Sequence, residues 1–374
     1  MLTEKDFISK PFSSVIENGS FQWSAPSNIA LVKYWGKKEN QIPANPSISF
    51  TLNNCKTITK LAFVKRGIST ALDGTSSNFS FDLLFEGKPK EDFKPKIQKF
   101  FERIEIYCPY LKDYHFTIDT KNTFPHSSGI ASSASGMAAL AMNIMSLEKA
   151  LSRNFGTAMT EDYFYQKASF LARLGSGSAC RSVKGSVVVW GKHKEINGSS
   201  DLFGVAFTST IHPNFKNYQD TILLVDKGEK QVSSTVGHDL MHNHPFAEQR
   251  FDQAHLNLSL MKTILETGNL EEFIKIVESE ALTLHAMMMT SMPYFILMKP
   301  NTMEIINKIW QFRAETHTPI CFTLDAGANV HVLYPEMVKA AVLQFIKSEL
   351  VCFCQNGNYI CDAVGNGSQL IIDN

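Results

Sequence analysis

The 374-residue sequence lacks an excess of charge and lacks a long apolar run. Its 36 lysines and arginines balance its 36 aspartates and glutamates, so the chain as a whole has no electrostatic attraction for nucleic acid. The longest apolar run, residues 286–298, is shorter than a membrane-spanning helix and is interrupted by Pro293. We therefore expect neither nucleic acid nor membrane as a partner, and we expect this run to lie in the core or to line a cleft.

The sequence also lacks cysteine pairs at the spacing of metal sites or disulfide frameworks. Its seven cysteines are scattered and odd in number, which favours reduced thiols. The opening segment, residues 1–12, is mixed in charge and has no apolar centre of the kind found in signal peptides. These features favour a cytoplasmic protein, and the length allows one large or two medium domains.

A stretch rich in glycine and serine, residues 122–141 (NTFPHSSGIASSASGMAALA), leads into a helical pattern of small residues. The unpaired N–H groups and the positive dipole end at such a helix start can bind an anion, and Gly129 would let the main chain approach phosphate oxygens. The stretch lacks the Gly-Lys-Ser/Thr ending of a P-loop, which argues against that class of nucleotide-binding protein. A phosphate-binding loop and a tightly packed, capped helix are equally good interpretations of this composition.

Three charged residues are candidates for an active site, two of them as cations that could bind an anion and one as a carboxylate. Lys33 lies in an apolar run, residues 29–35, where a buried ammonium needs a partner unless its side chain reaches solvent. Arg181 lies in a second Ser/Gly stretch, residues 175–182, and could bind a carboxylate or phosphate with two hydrogen bonds or form a surface salt bridge. Asp325 follows a predicted strand at a glycine turn, a position typical of catalytic carboxylates and of turn-forming aspartates alike.

Local patterns also predict individual elements. Residues 24–28 are typical of a turn and precede a predicted strand over residues 29–35. A polar, turn-rich stretch, residues 192–200, is the best candidate for a domain boundary. Helices are predicted over residues 160–174, with Thr160 as the N-cap, and over residues 247–267 and 270–288.

Four sequence blocks in this order, SAPSNIALVKYWGKK, NTFPHSSGIASSASGMAALA, GSGSACRS and FTLDAGAN, resemble the diphosphomevalonate decarboxylase family of the GHMP kinase superfamily. The match runs from about Ala25 to Asn329 and so covers most of the chain. The resemblance implies an α+β GHMP kinase fold of two domains with the active-site cleft between them. Residues 1–195 would form the N-terminal domain with the ATP phosphate loop, and residues 196–374 the C-terminal domain with the catalytic aspartate.

The resemblance also implies an activity. The enzyme would use ATP and Mg²⁺ to decarboxylate (R)-5-diphosphomevalonate to isopentenyl diphosphate, with release of ADP, phosphate and CO₂, and it would form a homodimer. The alternatives are a phosphomevalonate decarboxylase, a mevalonate kinase-type enzyme of the same superfamily, and a non-catalytic homologue that only binds the ligand.

The family's site residues carry over onto matching positions of this sequence. Asp325 would position the tertiary hydroxyl and take its proton, Lys33 would keep that carboxylate ionised, and Arg181 would orient the substrate carboxylate. The implied substrate-binding set is Asn28, Tyr34, Lys37, Ser176, Ser178, Arg181 and Ser234. The implied ATP-binding set is Gly129, Ser132 and Ser133, with Ser132 as the candidate metal contact.

Overall fold

The computed structural model describes residues 2–12, 15–67, 79–125, 130–153, 158–226 and 234–372. The strands in these ranges are β1 (Asn18–Val32), β2 (Ser47–Lys65), β3 (Ser80–Phe85), β4 (Lys88–Pro89), β5 (Tyr114–Asn122), β6 (Val187–Trp190), β7 (Val205–Ala206), β8 (Gln219–Leu223), β9 (Cys321–Leu324), β10 (Val330–Tyr334), β11 (Tyr359–Ala363) and β12 (Gln369–Leu370). The α-helices are α1 (Lys94–Ile104), α2 (Ser132–Arg153), α3 (Glu161–Gly175), α4 (Ser234–Asp239), α5 (Ala247–Thr267), α6 (Leu270–Met289), α7 (Pro300–Thr316) and α8 (Lys339–Phe345).

The strands of the described ranges form two sheets. The first has the order β12-β1-β2-β5-β3-β4, with β6 beside β2 and β7 beside β6, and only its β3–β5 pair is parallel. The second is antiparallel, with the order β11-β8-β10-β9. Although β7 and β12 follow residue 196, both pair within the first sheet. The combination of mainly antiparallel sheets and packed helices confirms the predicted α+β class.

The start of the chain differs from the sequence prediction. The turn predicted at residues 24–28 and the strand predicted at residues 29–35 are replaced by the single long strand β1, which ends just before Lys33. Pro26 is tolerated within β1 because the register with β2 shifts between Pro26 and Asn28, where a bulge interrupts the ladder. The turn prediction was therefore wrong because sheet pairing outweighed the local signal of Pro26.

Helix α2 packs against β1 and β2 of the first sheet, and α3 packs against α2. Alanines along α2 are buried, which lets this helix approach the sheet closely, and larger apolar residues of both helices complete the core. The predicted N-cap of α3 is confirmed, since the Thr160 side chain accepts a hydrogen bond from the Tyr163 N–H at 3.3 Å. This packing fixes the start of α2 and the end of α3 relative to the sheet.

A second core joins the first sheet to the C-terminal half. Leu31 and Phe50 of the first sheet share it with Leu258 of α5, Val277 of α6 and Ile222 of the second sheet. Helix α6 packs against both β1 and β9. The ends of these two strands, which belong to different sheets, are thus held against the same helix.

The apolar run at residues 286–298 is only partly core, which corrects the sequence prediction. Met288 and Leu297 are buried, but Met292 is 83% exposed and Tyr294 is 70% exposed. The reason is that α6 ends at Met289, and the chain then runs along the surface before it turns inward at Leu297. None of the helices in the described ranges has the length and hydropathy needed to cross a membrane.

Candidate active site

Lys33 and Asp325 form a charge pair although they lie far apart in the sequence. The Lys33 Nζ donates to Asp325 Oδ1 at 3.2 Å. The Lys33 side chain is only 2% exposed, whereas that of Asp325 is 31% exposed, so the carboxylate faces the open side of the pair. Burial lowers the pKa of Lys33, and the nearby carboxylates of Asp325 and Glu280 oppose that shift. The idea that Lys33 simply reaches solvent is therefore wrong.

Arg181 is buried beside this pair and is oriented by neutral partners. Its Nε donates to Asn28 Oδ1 at 3.3 Å, and one terminal nitrogen donates to Ser47 Oγ. The guanidinium also lies 5.8 Å from the ring centroid of Trp190, which suits a cation–π contact. In the described part of the chain no carboxylate lies at ion-pair distance from Arg181, so the surface salt bridge is excluded.

Asn28 ties β1 to the stretch that carries Arg181. It lies beside the bulge of β1, where its side-chain nitrogen donates to Ser182 Oγ at 2.8 Å and to the carbonyl of Ser178 at 3.2 Å. The stretch itself forms a 3-10 helix, Gly177–Ser182, at the end of α3. Ser182 was not predicted as a site residue, although it belongs to the GSGSACRS block and could have been found there.

The two Ser/Gly stretches meet in space. The hydroxyl of Ser133 in the first turn of α2 lies 3.3 Å from the hydroxyl of Ser176 at the end of α3. Ser178, two residues further along the chain, is half-buried. The two Ser/Gly stretches therefore lie side by side, and each offers hydroxyls and helix-start N–H groups of the kind that can bind an anion.

The predicted ATP-binding residues line a cavity, as far as the structure describes them. Ser132 and Ser133 are the first two residues of α2 and line a cavity of about 280 Å³. Apolar side chains, among them those of Phe85, Phe93 and Met137, form much of its wall. Gly129 lies outside the described residues. Polar groups at the helix start beside an apolar recess suit a ligand with phosphates and a flat ring.

The residues present suit a metal ion that arrives with a nucleotide. The described ranges contain no cluster of three or more His, Cys, Asp or Glu side chains that could hold an ion alone. Mg²⁺ in nucleotide sites is usually bound by one or two protein groups together with phosphate oxygens and water. The hydroxyl of Ser132, which lines the cavity, offers an oxygen ligand of the kind that Mg²⁺ prefers.

The remaining predicted residues gather around α4. The ring of Tyr34 packs against that of His238 at a centroid distance of 4.1 Å, and burial raises the pKa of Tyr34. Lys37 lies 3.4 Å from the carboxylate of Asp239. Ser234 is the first residue of α4, but its side chain lies outside the described part of the structure.

Sequence reasoning missed two histidines at this site. The buried His238 accepts the Gly36 N–H at Nδ1, 3.0 Å away, and burial together with Lys37 and Arg181 lowers its pKa to about 3. His285 of α6 donates from Nε2 to the main-chain oxygen of Asp325 at 3.1 Å. A single histidine within a helical pattern carries no local signal of function, so only the folded chain shows these contacts.

Sequence reasoning also missed a buried pair behind Lys33. Arg250 of α5 and Glu280 of α6 lie 2.5 Å apart, and Glu280 Oε2 accepts the Lys33 N–H at 2.8 Å. Long helical patterns normally place glutamate and arginine at the surface, so their spacing gave no sign of this contact.

Comparison with known proteins gives consistent results. The model of the diphosphomevalonate decarboxylase-like N-terminal domain matches residues 25–202, and that of the mevalonate 5-diphosphate decarboxylase C-terminal domain matches residues 221–367. The diphosphomevalonate decarboxylase of Saccharomyces cerevisiae is 29% identical over 86% of this chain and 80% of the relative. That of Debaryomyces hansenii is 29% identical over 86% of this chain and 81% of the relative.

Solved structures extend the similarity to the fold. Mevalonate diphosphate decarboxylase from Staphylococcus aureus matches with a TM-score of 0.78 and 26% identity, over 95% of this chain and 98% of the other. A complex described as MDDEF with MVAPP, AMPPCP and magnesium matches with a TM-score of 0.78 and 27% identity, over 95% of this chain and 99% of the other. These matches confirm the two-domain GHMP kinase fold that the sequence predicted.

Proposed function

Because the chain belongs to the diphosphomevalonate decarboxylase family, we propose that it converts (R)-5-diphosphomevalonate to isopentenyl diphosphate in an ATP-dependent decarboxylation that releases ADP, phosphate and CO₂. The observation that carries the proposal is the pair of Lys33 and Asp325, 3.2 Å apart, with the buried Arg181 beside it. These are the three residues to which we assign roles in the reaction.

In the first half of the reaction the tertiary hydroxyl attacks the terminal phosphorus of ATP. The Asp325 carboxylate takes the hydroxyl proton as the new O–P bond forms and the bond to ADP breaks. Lys33 holds that carboxylate through a charge-assisted hydrogen bond. Such a transfer depends mainly on positioning and on stabilisation of charge, which a buried, preformed pair supplies.

In the second half the new phosphate leaves with the electron pair of its C–O bond. The bond between the adjacent carbon and the carboxylate then breaks, its electrons form the alkene, and CO₂ departs. Arg181 holds the carboxylate during these events, because Asn28 and Ser47 fix its guanidinium and its Nη2 has no hydrogen-bond partner among the described residues. A fixed cation stabilises the bound anions better than mobile water does.

The nucleotide is assigned to the start of α2. Ser132 and Ser133 would bind its phosphates through hydroxyl and main-chain N–H groups, with Gly129 in the preceding loop. Ser132 would also hold Mg²⁺ together with the phosphates, and the ion when bound supplies charge neutralisation.

The substrate diphosphate is assigned to hydroxyl and cationic groups of the predicted substrate-binding set. Lys37 and the hydroxyls of Tyr34, Ser176, Ser178 and Ser234 would bind the diphosphate or its linker. The buried Tyr34 hydroxyl supports this, since it has no hydrogen-bond partner within the described ranges. Asn28 orders the set through its contacts with Arg181 and Ser182.

The test is a coupled assay of ADP release with parallel detection of CO₂, in which the purified protein and MgATP receive 5-diphosphomevalonate, 5-phosphomevalonate and mevalonate in turn. Equal amounts of ADP and CO₂ from the diphosphate alone are the expected result. ADP without CO₂ would indicate a kinase, and preference for the monophosphate would indicate a phosphomevalonate decarboxylase. Ligand binding without either product would indicate a non-catalytic homologue.

The proposal has three further parts. They are a homodimer, which rests on the family, a cytoplasmic location, which the scattered cysteines and the opening segment favour, and a domain division into residues 1–195 and 196–374. Light scattering on the purified protein tests the first, and a mass twice that of the 41.9 kDa chain is expected. Limited proteolysis tests the division, with cleavage expected in the polar stretch at residues 192–200.

A further inference from the structure

We propose that α6 sets the spacing of the Lys33–Asp325 pair, with Glu280 and His285 as its positioning residues. This inference rests on the proposed function, because it assigns a role to groups that act through that pair. Neither side chain is among the residues that we assign to the substrate. Each holds the main chain of one partner.

Glu280 holds the main chain at Lys33. Its side chain is fully buried, and its Oε2 accepts the Lys33 N–H at 2.8 Å. Arg250 donates to Oε1 at 3.0 Å and to Oε2 at 2.5 Å, and Asn257 donates to Oε1 at 2.6 Å. These four donors fill the acceptor positions of a carboxylate, so Glu280 has a single orientation.

Arg250 also binds the main chain of Lys33, at its carbonyl group. The nitrogen that binds Glu280 Oε2 also donates to the Lys33 carbonyl at 3.1 Å, where Asn45 donates at 2.8 Å. Both main-chain groups of Lys33 are therefore fixed by buried side chains. A lysine that follows the last residue of a strand has no ladder bonds of its own to hold it, which gives these contacts their importance.

His285 holds the main chain at Asp325. Its Nε2 lies 3.1 Å from the Asp325 carbonyl, and because a carbonyl only accepts, Nε2 carries the proton. Burial lowers the pKa of His285 to about 4, so the ring is neutral and this hydrogen bond persists at neutral pH.

A helix is a suitable element for this task because its length is fixed by its own hydrogen bonds. Glu280 and His285 are five residues apart, which corresponds to about 7.5 Å along the axis. The pair that they position comes from two different sheets. A misplacement of about 1 Å at a reacting group can lower the rate about a hundredfold. A rigid helix that fixes the distance between Lys33 and Asp325 therefore matters for turnover.

The charged groups around Lys33 determine how pH acts on this arrangement. They come from four elements and are Asp325 after β9, Glu280 on α6, Arg250 on α5 and Arg181 in the 3-10 helix. Burial lowers the pKa of Lys33, while the negative charge of Glu280 raises it. Loss of that negative charge lowers the pKa further, so the protonated lysine is lost at a lower pH.

The central experiment replaces the buried ion pair by apolar residues of similar volume, Glu280→Met with Arg250→Met. Such a replacement often leaves stability unchanged, so a stable protein can be assayed. We expect kcat to fall by about tenfold to a hundredfold with little change in KM, because the pair is misplaced while the ligands still bind. Wild-type kcat in the folded double variant would overturn the proposal.

The matched control is a second Glu–Arg pair whose glutamate also lies on α6. Glu278 binds Arg313 at 2.6 Å, away from Lys33 and Asp325. Glu278→Met with Arg313→Met should therefore keep the wild-type kcat. In the single variants, Glu280→Gln should move the alkaline limb of the kcat profile to lower pH, whereas Glu278→Gln should not. Identical pH profiles for both variants would overturn the proposal.

His285 gives an independent test that leaves the ion pair intact. His285→Phe removes the donor to Asp325 and should slow turnover, whereas His285→Gln, which keeps an N–H donor, should restore part of the rate. Equal rates in both variants and wild type would contradict the positioning role. The two ideas are tested separately: wild-type protein that releases no ADP and CO₂ from 5-diphosphomevalonate would contradict the proposed function, whereas normal turnover in Asp325→Asn would contradict the role of the charge pair that α6 positions.

Discussion

At the residue scale, the site depends on a cation that is buried and an anion that faces the open side of the pair. Lys33 has almost no contact with solvent, so its side chain cannot move away from Asp325 without leaving a buried charge unpaired. Asp325 accepts from Lys33 at one oxygen, and its side chain is 31% exposed. In the proposed reaction a substrate hydroxyl would approach the carboxylate from this exposed side.

Asp325→Asn keeps the size of the side chain but removes its charge and its ability to take a proton. We expect kcat to fall by about a hundredfold to ten-thousandfold. Binding of substrate and of a non-hydrolysable ATP analogue, measured by titration calorimetry, should persist. Asp119→Asn is the control, since Asp119 is half-buried on β5, where it accepts the Gly87 N–H at 3.1 Å. Near-normal turnover in Asp325→Asn would show that another group takes the proton.

Arg181→Lys tests the carboxylate contact. A lysine cannot satisfy Asn28, Ser47 and a substrate carboxylate together, because it lacks the planar fork of arginine. We expect kcat/KM for the substrate to fall by about tenfold to a hundredfold, as for loss of a hydrogen bond to a charged group. Arg103→Lys, at a half-buried arginine that binds the Leu174 carbonyl, should have little effect. Unchanged substrate kinetics in Arg181→Lys would argue against the assigned role.

At the scale of elements, the ends of helices decide where the groups proposed to bind anions lie. The start of α2 and the end of α3 bring the two Ser/Gly stretches within 3.3 Å of each other at Ser133 and Ser176. The left-handed backbone of Ala131, with φ of 36°, turns the chain into α2. The relative positions of these hydroxyl groups therefore depend on how firmly the two helices are packed in the domain.

Thr160→Ala tests the start of α3. The substitution removes the acceptor for the Tyr163 N–H and should lower the free energy of unfolding by about 1 kcal/mol. The KM values should not change, because the cap lies at the opposite end of α3 from Ser176. Urea denaturation gives the stability, and Thr160→Ser serves as the control that keeps the hydroxyl. If the free energy of unfolding of Thr160→Ala equals that of the wild type, another acceptor replaces the Thr160 side chain.

At the scale of the whole molecule, the two sheets must be held in a fixed relation for Lys33 to meet Asp325. One direct link is Asp362 of β11, whose buried carboxylate accepts main-chain N–H groups of β2. The donors are Asn53 at 2.9 Å, Asn54 at 2.8 Å and Cys55 at 2.7 Å. A side chain of the second sheet thus accepts hydrogen bonds from three main-chain N–H groups of the first sheet.

Asp362→Ala should weaken this link between the sheets. Leaving the buried Cys55 N–H without a partner costs about 1–3 kcal/mol of stability. We also expect kcat to fall, because Lys33 follows a strand of one sheet and Asp325 follows a strand of the other, so a shift between the sheets would separate them. Chemical denaturation and steady-state kinetics measure the two effects. Asp82→Ala, at an exposed residue of β3 that pairs with His115, is the control. Loss of stability without loss of kcat would show that other contacts align the sheets.

Local sequence patterns were enough to determine many of the elements. The helix predicted over residues 247–267 is α5, and the helix predicted over residues 270–288 ends one residue later in the structure. Four blocks in order were enough to indicate the family. These features could be predicted because helical periodicity, capping and motif residues depend on neighbours within a few turns of chain.

Only the tertiary structure decided which residues meet. Lys33 and Asp325 are 292 positions apart, and no local pattern reports a contact over that distance. Sheet pairing turned the predicted turn around Pro26 into part of a long strand, and helix packing placed Glu280 and His285 behind the charge pair. The physical reason is that burial and long-range pairing depend on the closure of the whole chain, whereas the sequence displays only the preferences of each segment.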